Sequence, residues 1–308
     1  MTSPIAAPAA FVTYPGAVRP ARHHWVDSYG VNIAVCEWGA VENPPLFLVH
    51  GGSDFAGTFD VFAPLLAEAG WRVIALDPRG HGDSDHAPLY SWDADVRDAL
   101  SVLDAITPDP VPVIAHSKGG GMMLQLAEAL PLRMSKLVVI DGLPSPEPHP
   151  DVSDHEQRRF TSKNLADWLD HRRNAAANFR KPGTLEELAR RRKRMNPRLS
   201  DEWLLYLASI GARKDADGWR WKLDPAIRFG GFGPWRPDWS MSRLKTLPVP
   251  LLGLTATVEE EMGWGTNHKA LEPLLPPGGR LVPFEATGHF IHIEHPRRVA
   301  DMVLDFLG

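Results

Sequence analysis

The strongest constraint on the fold is an alternation of short apolar segments with helical segments along the first half of the chain. Apolar runs at 46–49 (LFLV) and 111–115 (VPVIA) are typical of strands that are buried on both faces. Residues 93–106 and 119–130 instead carry apolar side chains at helical spacing. Strands that alternate with helices imply right-handed crossovers and a parallel sheet covered on both sides. We therefore expect an α/β fold.

The same pattern predicts the other elements of the core. Further strands are predicted at 31–37, 72–76, 137–140, 249–255 and 280–284, and further helices at 59–69 and 296–306. Prolines and glycines punctuate the segments between them.

The apolar strand pattern stops in the middle of the chain. Polar, arginine-rich amphipathic segments take its place and predict helices at 162–179, 184–195 and 201–210. We therefore predict four pieces: an N-terminal arm (1–24), an α/β core in two parts (25–143 and 246–308), and an inserted helical cap or lid (144–245).

Composition narrows the class of protein. A net charge of −5 argues against a nucleic-acid binder, whose surface would be basic. Cys36 is the single cysteine, so no disulfide can form within the chain. Residues 1–16 have no early positive charge and no long apolar run, unlike a signal peptide or a membrane anchor. We expect a cytoplasmic protein with neither a nucleic-acid nor a membrane partner.

A serine stands where a buried strand is predicted to turn sharply into a helix. Residues 115–119 (AHSKG) resemble the nucleophile elbow G-x-S-x-G, with Ala115 in place of the first glycine. Small residues two positions either side of the serine let the backbones approach closely. The N-terminus of the following helix supplies N–H groups and a positive dipole where an oxyanion would form. Such strings are common by chance, but this placement predicts Ser117 as a nucleophile.

A second turn, His50-Gly51-Gly52, ends the strand at 46–49. Glycine there lets the main chain approach a substrate, so we predict the backbone N–H groups of Gly52 and Lys118 as an oxyanion hole. The alternative is an ordinary glycine turn. The Lys118 side chain also has two interpretations: it assists an anionic intermediate, or it extends to solvent along the protein surface.

Residues 287–290 (TGHF) follow the last predicted strand and precede the last helix. His289 on this loop is the predicted general base, because this architecture places serine, acid and histidine in that chain order. The spacing of histidine, cysteine and acidic residues resembles no metal site. We therefore predict neither a metal nor another cofactor.

The acid is the least determined member of the set. The loop after the strand at 249–255 contains glutamates but no aspartate, and a glutamate can also orient a histidine. Glu259 is the preferred candidate. Asp141, at the end of the strand at 137–140, and Glu260 remain alternatives.

Two clusters allow both a structural and a functional interpretation. Residues 190–194 (RRRKR) could contact nucleic acid, but they follow an LEEL segment, so a solvated helix face is preferred. The second cluster consists of tryptophans that either pack inside the predicted cap or form the wall of an apolar or aromatic acyl site: Trp203, Trp219, Trp221, Trp235 and Trp239.

Four motifs together resemble the α/β-hydrolase superfamily, in its capped esterase, lipase and epoxide-hydrolase-like branch: HGG (50–52), DPRGHGDSD (77–85), AHSKGG (115–120) and TGHFIHIEHP (287–296). The resemblance extends from about His24 to Gly308. It implies that the acid lies three residues after the small residue that closes the seventh strand. That small residue matches Ala256, so the acid would be Glu259, whereas an aspartate at the position of Asp141 is frequent in the family without being catalytic. It further implies that the DPRGHGDSD loop is structural.

The resemblance and the motifs predict hydrolysis of a small-molecule ester or lactone through an acyl-enzyme on Ser117. Epoxide hydrolases and haloalkane dehalogenases of this branch use an aspartate nucleophile, so the serine disfavours them. Serine-dependent carbon–carbon bond hydrolysis, perhydrolysis and non-catalytic binding of a small ligand remain alternatives.

Overall fold

The computed structural model describes residues 12–144, 166–167, 169–171, 173–175, 180–227, 241–260, 263 and 266–308. Its centre is a sheet of eight strands. In chain order these are β1 (Arg22–Asp27), β2 (Asn32–Trp38), β3 (Pro45–Val49), β4 (Arg72–Leu76), β5 (Val111–His116), β6 (Met134–Ile140), β9 (Leu251–Ala256) and β10 (Arg280–Phe284). A separate hairpin consists of β7 (Ala212–Asp215) and β8 (Gly218–Trp221).

Helices connect the strands and cover the sheet. They are α1 (Ala63–Glu68), α2 (Trp92–Ile106), α3 (Lys118–Ala129), α4 (Leu185–Lys193), α5 (Asp201–Gly211), α6 (His268–Leu271), α7 (Ile291–Glu294) and α8 (Pro296–Leu307). Local chemistry sets several of their starts: the Ser91 side chain accepts from Ala94 N at α2, and Thr184 and Glu187 form a capping box at α4. No helix in the described part is both long enough and apolar enough to cross a membrane.

The strand order is β1-β2-β4-β3-β5-β6-β9-β10. The β1–β2 and β2–β4 pairs are antiparallel, and the pairs from β4 to β10 are parallel. Strand β3 lies between β4 and β5 in the sheet. The connection from β3 therefore runs to β4 on one side, and the connection from β4 crosses to β5 on the other side of β3. Such a point opens a crevice outside the carboxyl ends of the strands, where ligands bind in open α/β sheets.

The core has two apolar layers, one on each face of the sheet. Alternation along β3 sends Phe47 to one layer and Leu46 and Leu48 to the other. The first layer is completed by buried side chains of α2 and α3: Ala99, Leu103, Met122, Met123 and Leu126. The second is completed by those of residues 59–66 and α8: Phe59, Phe62, Leu66, Val299 and Val303. The α/β fold expected from the alternating pattern is therefore confirmed.

The segment between β6 and β9 builds a third apolar cluster. Its helices α4 and α5 contribute Leu188 and Leu207, and both contact a cluster that includes Phe55 and Phe290. Phe55 follows β3 and Phe290 follows His289, so this cluster lies on the loops at the carboxyl edge of the sheet. The helix predicted at 162–179 falls largely outside the described residues.

Three structural features differ from the sequence predictions. Strand β1 was not predicted, because RHHWVD lacks an apolar run, and it begins inside the segment predicted as an arm. The β7–β8 hairpin was missed because tryptophan, arginine and glycine give no strand alternation there. The helix predicted at 59–69 is a short 3₁₀ turn at Ala56–Phe59 followed by α1.

The 77–85 loop is held by buried charges. Asp77 accepts from Ala56 N at 2.6 Å and from Asp83 N at 3.0 Å. Arg79 donates to both carboxylate oxygens of Asp98 in α2, at 2.6 and 2.7 Å, and both residues are buried. The loop is thereby attached to α2 and to the segment that follows β3.

Replacing Arg79 with methionine should destabilise the protein by about 3–5 kcal/mol, because the Asp98 carboxylate would stay buried without its cation. The double variant Arg79→Met/Asp98→Leu should recover much of that loss, since no buried charge is left unpaired. Denaturant unfolding of both variants measures the difference. A single variant as stable as wild type would contradict this view of the loop.

Candidate active site

Ser117 lies at the sharp turn between β5 and α3, in a backbone conformation that side chains rarely adopt, with φ 52° and ψ −123°. Its N–H donates to Ile140 O at 2.9 Å, and its own carbonyl accepts from Gly120 N at 2.8 Å. The residue is 3% exposed. The serine is thus held by β6 on one side and by the first turn of α3 on the other.

Glycines let three segments meet at this serine. A Cβ on Gly142 would lie 2.3 Å from Ser117 O, and a Cβ on Gly51 would lie 2.9 Å from Ser117 Cβ. A Cβ on Gly119 would lie 2.7 Å from the carbonyl oxygen of His50. None of these positions has room for a side chain. The turn after β3, the elbow and the end of β6 are therefore in direct contact.

His289 and Asp141 form a short hydrogen bond beside the elbow. His289 Nδ1 lies 2.6 Å from Asp141 Oδ2, and both side chains are buried. Asp141 Oδ1 accepts from Ala256 N at 2.9 Å, so both carboxylate oxygens are occupied. An ionised carboxylate only accepts, which puts the imidazole proton on Nδ1 and leaves Nε2 as the basic nitrogen.

This geometry corrects the prediction for the acid. The structure places Asp141, and not Glu259, against the imidazole of His289; Glu259 is exposed and forms no hydrogen bond with His289 among the described residues. Glu260 is close, but its Oε2 accepts from the backbone N–H of His289 at 2.6 Å. Strands β6 and β9 are adjacent and parallel, so both acids lie at the same edge of the sheet. Asp141 directly follows β6 and is buried, whereas Glu259 lies three residues beyond β9 and is exposed.

The predicted oxyanion donors are backbone groups, and the structure brings their segments together. Gly52 follows Gly51, which contacts Ser117, and Lys118 follows Ser117 directly. The Lys118 side chain does not extend to solvent. Its Nζ forms an ion pair with Asp95 Oδ2 at 2.6 Å, and the two side chains are 17% and 5% exposed. Burial raises the pKa of Asp95, and Lys118 opposes that rise. The lysine thereby attaches the elbow to α2.

Buried histidines surround His289, and sequence patterns did not identify them as neighbours. The His116 ring centroid lies 4.6 Å from that of His289 and 4.6 Å from that of His292. Burial, followed by the neighbouring histidines, holds the pKa of His116 well below its usual range. Burial likewise lowers the pKa of His292 to about 3. Both rings are therefore neutral near pH 7, and His116 Nε2 donates to His289 O at 3.0 Å.

A cavity of about 300 Å³ opens next to the turn after β3. Its apolar wall includes Phe55, Trp221 and Leu223. Trp203 instead is buried and stacked on Tyr206, 5.2 Å between ring centroids. Trp219 is half-buried in the hairpin, and Trp235 and Trp239 lie outside the described residues. Among the described residues, no group of three or more histidine, cysteine or acidic side chains is placed to hold a metal ion.

Comparison with known proteins agrees with this architecture. Residues 46–302 match the alpha/beta hydrolase family. A "Serine hydrolase-like protein" of Danio rerio is 27% identical over 291 residues, covering 88% of this chain and 83% of that protein. A hypothetical protein of Pseudomonas aeruginosa PAO1 superimposes with a TM-score of 0.76 at 25% identity, covering 94% of this chain and 99% of the other. The thioesterase domain from the curacin biosynthetic pathway gives a TM-score of 0.76 at 22% identity, covering 92% and 99%.

The buried histidines predict a loss of stability in acid. Between pH 6.5, the ordinary pKa of a histidine, and about pH 3, the pKa of His292 in the folded protein, the imidazole of His292 is protonated in the unfolded chain but neutral in the folded protein. Stability should therefore fall as the pH falls through that window, by about 1.4 kcal/mol per pH unit for each such proton. The His292 ring lies 5.3 Å from Phe59 and 6.2 Å from Phe62 between centroids, and His292→Phe keeps an aromatic ring there without the titrating group. It should flatten the pH dependence of unfolding by about that slope.

The exposed residue His24 offers a matched control, since His24→Gln removes one histidine that is 46% exposed. Its pH dependence of unfolding should follow that of the wild type. If His292→Phe and His24→Gln had the same effect, burial of His292 would not be the source of the acid sensitivity.

Proposed function

The chain belongs to the alpha/beta hydrolase family, and on that premise we propose that it is a serine hydrolase that cleaves a carboxylic ester or lactone through an acyl-enzyme on Ser117. The observation that carries the proposal is the arrangement at the carboxyl edge of the sheet. A strained, buried serine directly follows His116, whose ring centroid lies 4.6 Å from that of His289, and His289 Nδ1 lies 2.6 Å from a carboxylate. Strain of this kind persists where the surrounding structure enforces it, and it is concentrated at active sites.

In the proposed reaction, His289 Nε2 takes the hydroxyl proton of Ser117 while the serine oxygen attacks the carbonyl carbon. The carbonyl oxygen becomes an oxyanion, and the backbone N–H groups of Gly52 and Lys118 stabilise it. The tetrahedral intermediate then expels the alcohol, which leaves with the proton from His289. Water attacks the acyl-enzyme in the same way and releases the acid together with free Ser117.

Asp141 has the role of orienting the imidazole and stabilising its protonated form. Its second oxygen accepts from Ala256 N, which supports a fixed carboxylate position. Glu260 positions the same loop through the His289 backbone N–H. Neither role requires Asp141 to accept the proton of the reaction.

We further propose that residues 144–245 form a cap over this site. The apolar contacts of Leu188 and Leu207 with a cluster containing Phe55 and Phe290 support it. An apolar cavity wall that includes Trp221 supports a substrate with an apolar or aromatic part. A cytoplasmic location is proposed with it, supported by Cys36 as a buried, free thiol.

Ser117→Ala should lower 4-nitrophenyl ester hydrolysis on the order of 10⁶-fold while leaving thermal unfolding nearly unchanged, because the hydroxyl is the reagent. A fluorophosphonate probe should label wild type at Ser117 and leave the variant unlabelled. A wild-type protein that neither hydrolyses such esters nor reacts with the probe would support the non-catalytic ligand-binding alternative.

Asp141→Asn should lower the rate roughly 10⁴-fold, because a neutral amide no longer fixes the imidazole tautomer. Glu259→Gln makes the same charge change in the neighbouring loop, where the side chain is exposed, and should keep nearly the wild-type rate. The measurement is the rate of acylation in single-turnover kinetics. A large loss of rate in Glu259→Gln with little loss in Asp141→Asn would instead identify Glu259 as the acid.

A further inference from the structure

The cavity beside the turn after β3 has a cationic side as well as an apolar one. Among the described residues that line it, four are basic (Arg180, Lys181, Arg191 and Arg192) and one, Asp54, is acidic. Ser53 lines the same cavity and is two residues from Gly51, which contacts Ser117. Two residues of extended chain span at most about 7 Å. Ser53 therefore places the cavity close to the turn that contacts the elbow, whereas Ser117 and His289 are not among its lining residues.

Two of the four cations are neutralised within the protein. Arg192 forms an ion pair with Asp54 at 2.9 Å and lies over the Trp221 ring, 5.6 Å from its centroid. Arg191 lies 3.9 Å from a Glu187 oxygen. These contacts correct the prediction that residues 190–194 form a solvated helix face, because Arg191 and Arg192 turn toward the cavity. Arg190 and Arg194 do remain exposed.

Arg180 and Lys181 have no such partner: no carboxylate of the described residues forms an ion pair with either side chain. Arg180 is half-buried, and its Nε donates to Leu223 O at 2.9 Å. Burial lowers the pKa of Arg180, partly opposed by Asp224, whose carboxylate accepts from Tyr90. Backbone carbonyls of Leu223 and Asp224 and the charge of the Asp224 carboxylate compensate this partly buried guanidinium only in part, so an anion in the cavity would stabilise it further.

The backbone that presents these two cations is fixed. Arg220 Nε donates to Arg180 O at 2.7 Å, and Arg191 donates to Lys181 O at 2.7 Å. Gly183 exchanges two backbone hydrogen bonds with Trp219, at 3.0 and 2.8 Å. The segment 180–183 is thus held on both sides before any ligand binds. Such preorganisation reduces the entropy that binding costs.

We propose that this cavity binds an anionic group of the substrate, a carboxylate or a phosphate, through Arg180 and Lys181, with the apolar part of the substrate against Phe55 and Trp221. A guanidinium matches either anion with two parallel hydrogen bonds. The claim that the bound anion is part of the substrate rests on the proposed function, whereas the claim that the cavity binds an anion does not. The two are therefore tested separately.

The binding experiment uses the Ser117→Ala protein, calorimetric titration, and three probes that share one apolar chain: hexanoate, hexyl phosphate and hexan-1-ol. At least one anion should bind about tenfold more tightly than the alcohol, and the tighter of the two identifies the anion class. Arg180→Met and Lys181→Met should each weaken that binding about tenfold. Arg190→Met removes the same charge from an exposed position on α4 and should change nothing.

Equal affinity for all three probes, or equal effects of the cavity variants and Arg190→Met, would overturn anion binding. Lys181 is exposed, so Lys181→Met keeps the experiment decisive even if Arg180→Met fails to fold.

The kinetic experiment compares 4-nitrophenyl pentanoate with the mono-4-nitrophenyl ester of glutaric acid, which differs by a terminal carboxylate. The wild type should favour the anionic ester in kcat/KM, and each cavity variant should reduce that preference about tenfold, mainly through KM. An unchanged preference alongside confirmed anion binding would overturn the assignment to the substrate. Hydrolysis by Ser117→Ala at the wild-type rate would overturn the proposed function and leave the binding result intact.

Discussion

The hydrogen bond between Asp141 and His289 joins two parts of the core that are 148 residues apart in sequence. Asp141 comes at the end of β6 and His289 on the loop after β10, with the whole 144–245 segment between them. The same carboxylate also receives Ala256 N at the end of β9. Three carboxyl-end loops thus depend on one side chain. Because an unpaired buried carboxylate is costly, each of these two contacts favours the other, and the three loops are ordered together.

The elbow adds a geometric constraint to this electrostatic one. Ser117 keeps its strained backbone because Gly51, Gly119 and Gly142 leave room for the neighbouring chains to close around it. Lys118 then attaches the elbow to α2 through the buried Asp95. Lys118 therefore anchors the elbow through its side chain, while its backbone N–H is a proposed oxyanion donor.

Sequence alone was sufficient for features that depend on local pattern. Apolar runs located most of the central strands, and the small residues around Ser117 located the elbow. It was insufficient where spatial neighbourhood decides. Asp141 and Glu259 both follow strands that end at the same edge of the sheet, and only the side-chain positions show that Asp141 is buried against the imidazole while Glu259 is exposed. Arg191 and Arg192 likewise looked like a solvated face, because their partners are distant along the chain: Arg191 donates to Lys181 O, ten residues away, and Arg192 donates to Asp54.

The positive φ of Ser117 has a consequence for how such a protein evolves or is engineered. Backbone strain of this kind costs on the order of 1–3 kcal/mol, and glycine, which lacks a Cβ, would relieve it. The proposed nucleophile therefore occupies a position where its own replacement by glycine would make the protein more stable. A library selected for thermal tolerance alone would accumulate inactive sequences at this codon, so directed evolution of a hardier variant has to screen for turnover in every round.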